Sequence, residues 1–147
     1  MNEFEKMKEL FFQTIEEKCF GDYKNKAYFH SLSTCTLCQK LAIERDLDLE
    51  IASIIGLMHD IGQYISHSSY KHALKSKEFV ACHLSNDYEN KDIVFKAIEN
   101  HSDKEHIHDA YSELLKDADL LSQYLTEPDR VFPATQQNRI QKSLHKM

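Results

Sequence analysis

The chain reads as all-α, a single-domain bundle of about six helices, on three observations. Its 147 residues suit one hydrophobic core, since two would each be small. Only three glycines and two prolines occur, and Pro128 and Pro133 both fall in the last twenty residues. The stretch before them therefore lacks the turn punctuation that sheets require. Apolar residues also recur at intervals of three and four, the spacing of one face of a helix.

Each helix can be justified in turn. Phe4, Met7, Phe11 and Ile15 share the face of a first helix that Gly21 is placed to end. A second runs from about Lys26 to Arg45 on Leu37, Cys38, Leu41 and Ala42, with His30 on the face of Thr34, Leu37 and Leu41. The third starts at Asp48, a plausible N-cap, and passes Ile51, Ala52, Ile55 and Met58 to His59, where Gly62 can stop it. The fourth spans about Ser69 to Leu84, with Phe79, Val80, His72 and His83 turned inward. The fifth covers about Asn90 to Asn100 on Val94, Ala97 and Ile98, and His101 extends its apolar face. The sixth, from about Ala110 to Leu125, buries Leu114, Ala118, Leu121 and Leu125, with Asp117 and Asp119 flanking the stripe on either side. The basic stretch beyond Pro133, residues 133–147, reads as a short docking helix or a frayed tail.

Composition narrows the function. A net charge of −6 offers nucleic-acid backbones no general attraction, and the three arginines form no cluster, so no nucleic-acid partner is expected. No apolar run of about 18 residues is present and the N-terminal segment is acidic and amphipathic, so the expectation is a cytoplasmic protein without a membrane partner. Cys19, Cys35, Cys38 and Cys82 include one C-x-x-C pair but no second pair at zinc-site spacing, and are expected to be reduced packing residues. Neither a P-loop, a G-x-G-x-x-G nor a G-x-S-x-G motif occurs.

What remains is histidine and aspartate. A single inward imidazole is more often a hydrogen-bonded core residue than a ligand. Five of them, at 30, 59, 72, 83 and 101, lie on apolar faces, and each needs polar partners against a burial cost of about 1–3 kcal/mol. One cation satisfies several at once, and neutral imidazole with carboxylate suits divalent first-row metals. His59 and Asp60 would diverge by about 100° in an unbroken helix, so both can reach one cation only where the helix loosens, a freedom that Gly62 supplies.

The full arrangement is F-H-S-L at His30, G-L-M-H-D-I-G at His59 and Asp60, A-I-E-N-H at His101 and K-D-A-D-L-L at Asp119. This resembles the HD superfamily of metal-dependent phosphohydrolases over roughly Ala27 to Leu125, and implies one HD domain across residues 1–147. By that resemblance His30, His59, Asp60 and Asp119 hold the first ion, the A-D-x-L setting favouring Asp119 over Asp117. Branches with two ions add two histidines, best matched by His72 and His101, with His83 the competitor to His72 and Asp60 bridging. The cofactor implied is one or two divalent ions, with Mn, Fe, Mg, Ni, Co and Zn all eligible. Several branches carry a lysine after the HD pair where this chain has Gln63, and Lys71, Lys75 and Lys104 are the candidates to contact substrate phosphate instead. His67, His106 and His108 are candidates for the mouth of the site, although solvated surface side chains are the simpler reading of these and of the lysines.

The activity implied is hydrolysis of a phosphomonoester, nucleotide or phosphoanhydride by a metal-activated water that Asp60 orients. The ligand order is also similar to the bacterial symmetrical dinucleoside-tetraphosphatase branch, which implies a nucleotide anhydride. Two alternatives stand beside it, a non-catalytic nucleotide-binding or regulatory HD module and a di-iron oxygenase, since His/carboxylate sites accept iron readily. The oligomeric state is left open.

Overall fold

Three of the helices begin where a side chain replaces a missing backbone partner. The computed structural model describes residues 2–147, and α1 (Glu3–Lys18) opens with the Asn2 side chain accepting from the Glu5 amide at 2.8 Å. Gly21, at φ +57°, reverses the chain as expected, but it heads the next helix: α2 (Gly21–Glu44) starts five residues before the expected Lys26. The Asp48 cap of α3 (Leu49–Met58) is present, its carboxylate accepting from the Ile51 amide at 2.9 Å. There follow α4 (Ile61–Ser66), α5 (His72–His83), α6 (Lys91–Asn100), α7 (Ala110–Thr126) and α8 (Ala134–Lys146).

Eight helices thus stand among the described residues, all α and without strands, against about six expected. The additional internal one is α4, which continues beyond the point where Gly62 was expected to stop the chain. The break comes earlier, at Asp60, whose φ −111° and ψ 10° leave the helical region. Gly62 serves close packing instead: a Cβ there would stand 2.5 Å from the Ser76 nitrogen of α5. The backbone turns without it because Asp60 absorbs the change of direction.

The core sits around α3, whose residues Ile51 to Met58 are all buried. It packs against α1, α2, α6 and α7, while α4 lies on α5 and α8 closes over α7. Cys19, Cys35 and Cys38 are buried thiols, Cys35 and Cys38 lying against Gly56, whereas Cys82 is exposed rather than part of the core as expected. Leu125 also departs from expectation at 57 % exposed, because the α7 face ends at Leu121 and Ser122. The tail does form a helix, anchored by fully buried Ile140. No helix among the described residues is long and apolar enough to cross a membrane.

Candidate metal centre

Three helix-borne segments converge at one end of α3. His30 comes from the middle of α2, His59 and Asp60 from the α3–α4 junction, and Asp119 from α7, and one donor atom of each lies within 4.8 Å of all the others. A second group, Asp60 with His72 at the start of α5 and His101 at the end of α6, meets the same criterion. His59, Asp60, His101 and Asp119 are buried, while His30 and His72 are half-buried at the edge of a cavity.

The atoms facing one another are mostly lone-pair bearers. Nδ1 of His59 donates to the Gly56 carbonyl at 2.8 Å, that of His72 to Ser69 at 3.0 Å, and that of His101 to Ile98 at 2.6 Å. A carbonyl can only accept, so these bonds place the neutral imidazole's proton on Nδ1 and leave Nε2 bare. Each bare Nε2 then points at carboxylate oxygen. His59 Nε2 is 3.2 Å from Asp60 Oδ2 and 3.2 Å from Asp119 Oδ1, and His101 Nε2 is 3.0 Å from Asp60 Oδ1. His30 Nε2 lies 3.1 Å from His59 Nε2, 2.9 Å from Asp119 Oδ1 and 3.3 Å from Asp60 Oδ2.

Only protons or cations reconcile such a cluster of acceptors. Donors about 2.1 Å from one ion stand about 3.0 Å apart at right angles and about 3.4 Å apart at the tetrahedral angle. The separations of 2.9 to 3.3 Å around His30, His59, Asp60 and Asp119 run close to that span. The donor set therefore fits a divalent first-row ion. Asp60 divides its oxygens, Oδ2 toward His30 and His59, Oδ1 toward His101 and, at 3.6 Å, His72, so its one carboxylate faces both groups of imidazoles.

Protons fill the role when no cation does. Burial disfavours an imidazolium at His30, but hydrogen bonding to Asp119 and Asp60 outweighs it and raises the pKa to about 9. At His59 burial is likewise overcome, by the Asp60 charge and the bond to Asp119, and the pKa rises to about 10. His101 goes the other way, burial prevailing over Asp60 and lowering its pKa. Burial would raise both carboxylates, yet the His59 charge holds Asp60 well below its usual range, and Lys104 with His30 and His59 does the same for Asp119.

The cavity above the cluster has a volume of about 550 Å³, within the range of small-molecule sites. Of the four residues expected to meet substrate, Gln63 and Lys104 line it, and Lys104 Nζ is 2.8 Å from Asp119 Oδ2. Lys71 and Lys75 do not, because both ammonium groups lie against the Tyr70 ring, at 5.4 and 5.6 Å. His83 is exposed on α5 with Nδ1 on the Phe79 carbonyl, about three turns along the helix from His72 and too far to join it. The other mouth candidates are engaged elsewhere: His67 with the Lys18 carbonyl, His106 with Asp103, and His108 with Lys116. Residues that no motif marked also line the cavity, including Tyr23, Lys26 and Arg130. Tyr23 and Lys26 precede His30 by seven and four residues, so helical spacing from a ligand was a usable signal for them.

Comparison with known proteins agrees with this geometry. The HD domain family model matches residues 27–124. The chain is 34% identical over 93 residues to a ribonuclease Y of Mycoplasma genitalium, which is 63% of this chain but 18% of that protein. It is 34% identical over 77 residues to a ribonuclease Y of Nitratidesulfovibrio vulgaris, covering 51% of this chain and 14% of that one. The match thus spans less than a fifth of these curated relatives, and no solved structure matches the chain. With its His and Asp donors gathered from α2, the α3–α4 junction and α7, and the family model covering most of its length, the chain belongs to the HD superfamily of metal-dependent phosphohydrolases.

Proposed function

We propose that this protein hydrolyses a small phosphorylated substrate, a nucleotide among phosphomonoesters and phosphoanhydrides, using one or two divalent ions. The observation that carries the reading is the split of Asp60, whose two oxygens face two separate groups of bare imidazole nitrogens. His30, His59, Asp60 and Asp119 would hold the first ion, and Asp60, His72 and His101 the second. Divalent cations in such sites supply Lewis acidity and a water acidic enough to ionise near neutral pH.

The chain's own residues do the rest. Asp60 orients the attacking water toward phosphorus. Lys104, already 2.8 Å from Asp119, presents its remaining N–H groups to the cavity, where a phosphoryl oxygen can take them. Lys26 and Arg130 extend the positive lining toward the opening, and the exposed Phe29 ring lies beside them for the organic part of the substrate. Free thiols and a nucleotide substrate suit a cytoplasmic setting. The relatives' name adds a phosphodiester to the substrates worth testing, although the net charge of −6 argues against a long nucleic acid.

The test is metal analysis of the purified protein joined to a phosphate-release screen over nucleotides, small phosphomonoesters and short RNA. Mn, Fe(II), Mg, Ni, Co and Zn are each supplied, with and without oxygen. The expected result is about one to two ions per chain and release from at least one compound. Tight nucleotide binding without turnover would instead favour a regulatory module, and oxygen uptake without phosphate release a di-iron oxygenase. A protein that takes up no divalent ion would end the reading.

A further inference from the structure

His30 is held differently from the other three imidazoles. The Nδ1 atoms of His59, His72 and His101 each find the carbonyl three residues earlier, within or beside a turn of their own segment. His30 lies inside α2, where the preceding carbonyls belong to the helix ladder. Its Nδ1 instead faces Ser122 Oγ at 3.1 Å, on α7. Ser122 Oγ is 2.5 Å from Ser33 Oγ, and Ser33 Oγ is 3.1 Å from the His30 carbonyl.

We propose that Ser122 and Ser33 are positioning residues that replace, for His30, the backbone carbonyl used by the other three histidines. The direction of the relay follows from its end. The His30 carbonyl can only accept, so the Ser33 hydroxyl donates to it. Ser33 then accepts from the Ser122 hydroxyl, and Ser122 in turn accepts from His30 Nδ1–H. The loop closes on the residue it began with, places the proton on Nδ1 and leaves Nε2 bare toward Asp119. A second approach of Ser122 Oγ to the His30 carbonyl, at 3.4 Å, is the weaker branch. Ser122 is fully buried, so water does not compete for its hydroxyl. Outer partners of this kind fix the tautomer and orientation of a ligating histidine, and their loss costs about ten- to a hundredfold in metal affinity. Ser33 follows His30 by three residues and Ser122 follows Asp119 by three, so each serine sits one turn beyond a ligand on its own helix.

This inference rests on His30 being a metal ligand, and the experiment separates the two claims. Mn and Zn affinities of the full chain are measured by calorimetry for wild type, Ser122→Ala, Ser33→Ala and Ser33→Thr, with thermal melts of each metal-free form. Ser122→Ala is expected to weaken the first ion by about ten- to a hundredfold with little change in the metal-free melt. Ser33→Ala should weaken it less, and Ser33→Thr, which keeps a hydroxyl at a half-buried position, should restore it. Nitrogen-15 spectra of His30, taken with zinc and without metal at alkaline pH, report which nitrogen carries the proton. If the wild type binds no ion, the metal reading fails alone, and a proton on Nδ1 that Ser122→Ala releases still supports the relay. Unchanged affinity in both alanine variants, or a wild-type proton on Nε2, overturns it.

Discussion

Asp117 and Asp119 stand two residues apart on α7 and meet opposite surroundings. Asp117 is clasped by guanidinium groups, Arg45 Nη2 at 2.7 Å and Arg139 Nη1 at 3.1 Å. Arg139 also pairs with Glu113 at 2.8 Å, and Glu113 with the fully buried Lys116, which reaches on to His108 and the His106 carbonyl. In that network donors meet acceptors, and the charges tie α2, α7, α8 and the loop before α7 together. Asp119 faces imidazole nitrogens whose lone pairs point back at it, with Lys104 as its one permanent cation. The difference teaches how to tell a strut from a site. A buried charge whose partners match it is structural, whereas acceptors gathered against acceptors call for a proton or a cation between them.

The comparison breaks most visibly at the shared carboxylate. Asp60→Ala removes a donor from both groups, and a lost ligand should cost more than the hundredfold upper end seen for outer partners. Phosphate release is therefore expected to fall by more than about a hundredfold while far-ultraviolet dichroism stays helical. Full activity in that variant would remove the centre from the mechanism.

Proton linkage gives the next largest effect. At neutral pH the metal-free protein carries protons on His30 and His59, whose pKa values stand at about 9 and about 10, and an ion must expel them. Affinity should thus climb about tenfold per pH unit for each proton displaced, and level off above about pH 10. Calorimetry in buffers of different ionisation enthalpy counts the protons directly. The same raised values stabilise the metal-free fold fully below about pH 6.5, the unfolded value, and that contribution fades as pH rises through 9 to 10. Its melting temperature should fall over that window, and the metal-loaded protein's should not.

Smaller effects distinguish cations inside the cavity from those outside. Lys104→Ala is expected to lower kcat/KM by about tenfold, the scale of one charged hydrogen bond, while Lys71→Ala stays within about twofold. The least change in activity is expected for Asp117→Asn. It leaves turnover within about twofold but weakens the fold by about 1–3 kcal/mol in urea denaturation, since Arg45 and Arg139 lose their shared partner in a partly exposed site.

Much of the fold was legible because period and caps are local. The α3 run with its Asp48 cap, the buried stripe of α7 from Leu114 to Leu121, and the scarcity of Gly and Pro each speak for helix without reference to the rest of the chain. α4 was missed because a six-residue helix offers less than two turns of periodicity, and Gly62 within it looked like a stop. His83 was misread as inward for a related reason. Period assigns a face, but α5 is short and its far end emerges from the core, so the same face is buried at Ser76 and bare at His83. Lys71 was read from its neighbourhood to His72, but its left-handed backbone at φ 49° turns it away onto Tyr70.

What the sequence determined by itself was the helical class, the residue types able to bind a cation, and their order along the chain. Periodicity left the two carboxylates on α7 equivalent and the family resemblance favoured Asp119, but only tertiary structure decided which lysine reaches the cavity and that two serines with no motif to mark them stand behind His30. The physical reason is range. Helix formation and patterning are settled within a few residues, whereas the meeting of His30 with Ser122 and of Asp60 with His101 depends on how helices distant in sequence cross, and no local pattern encodes that crossing.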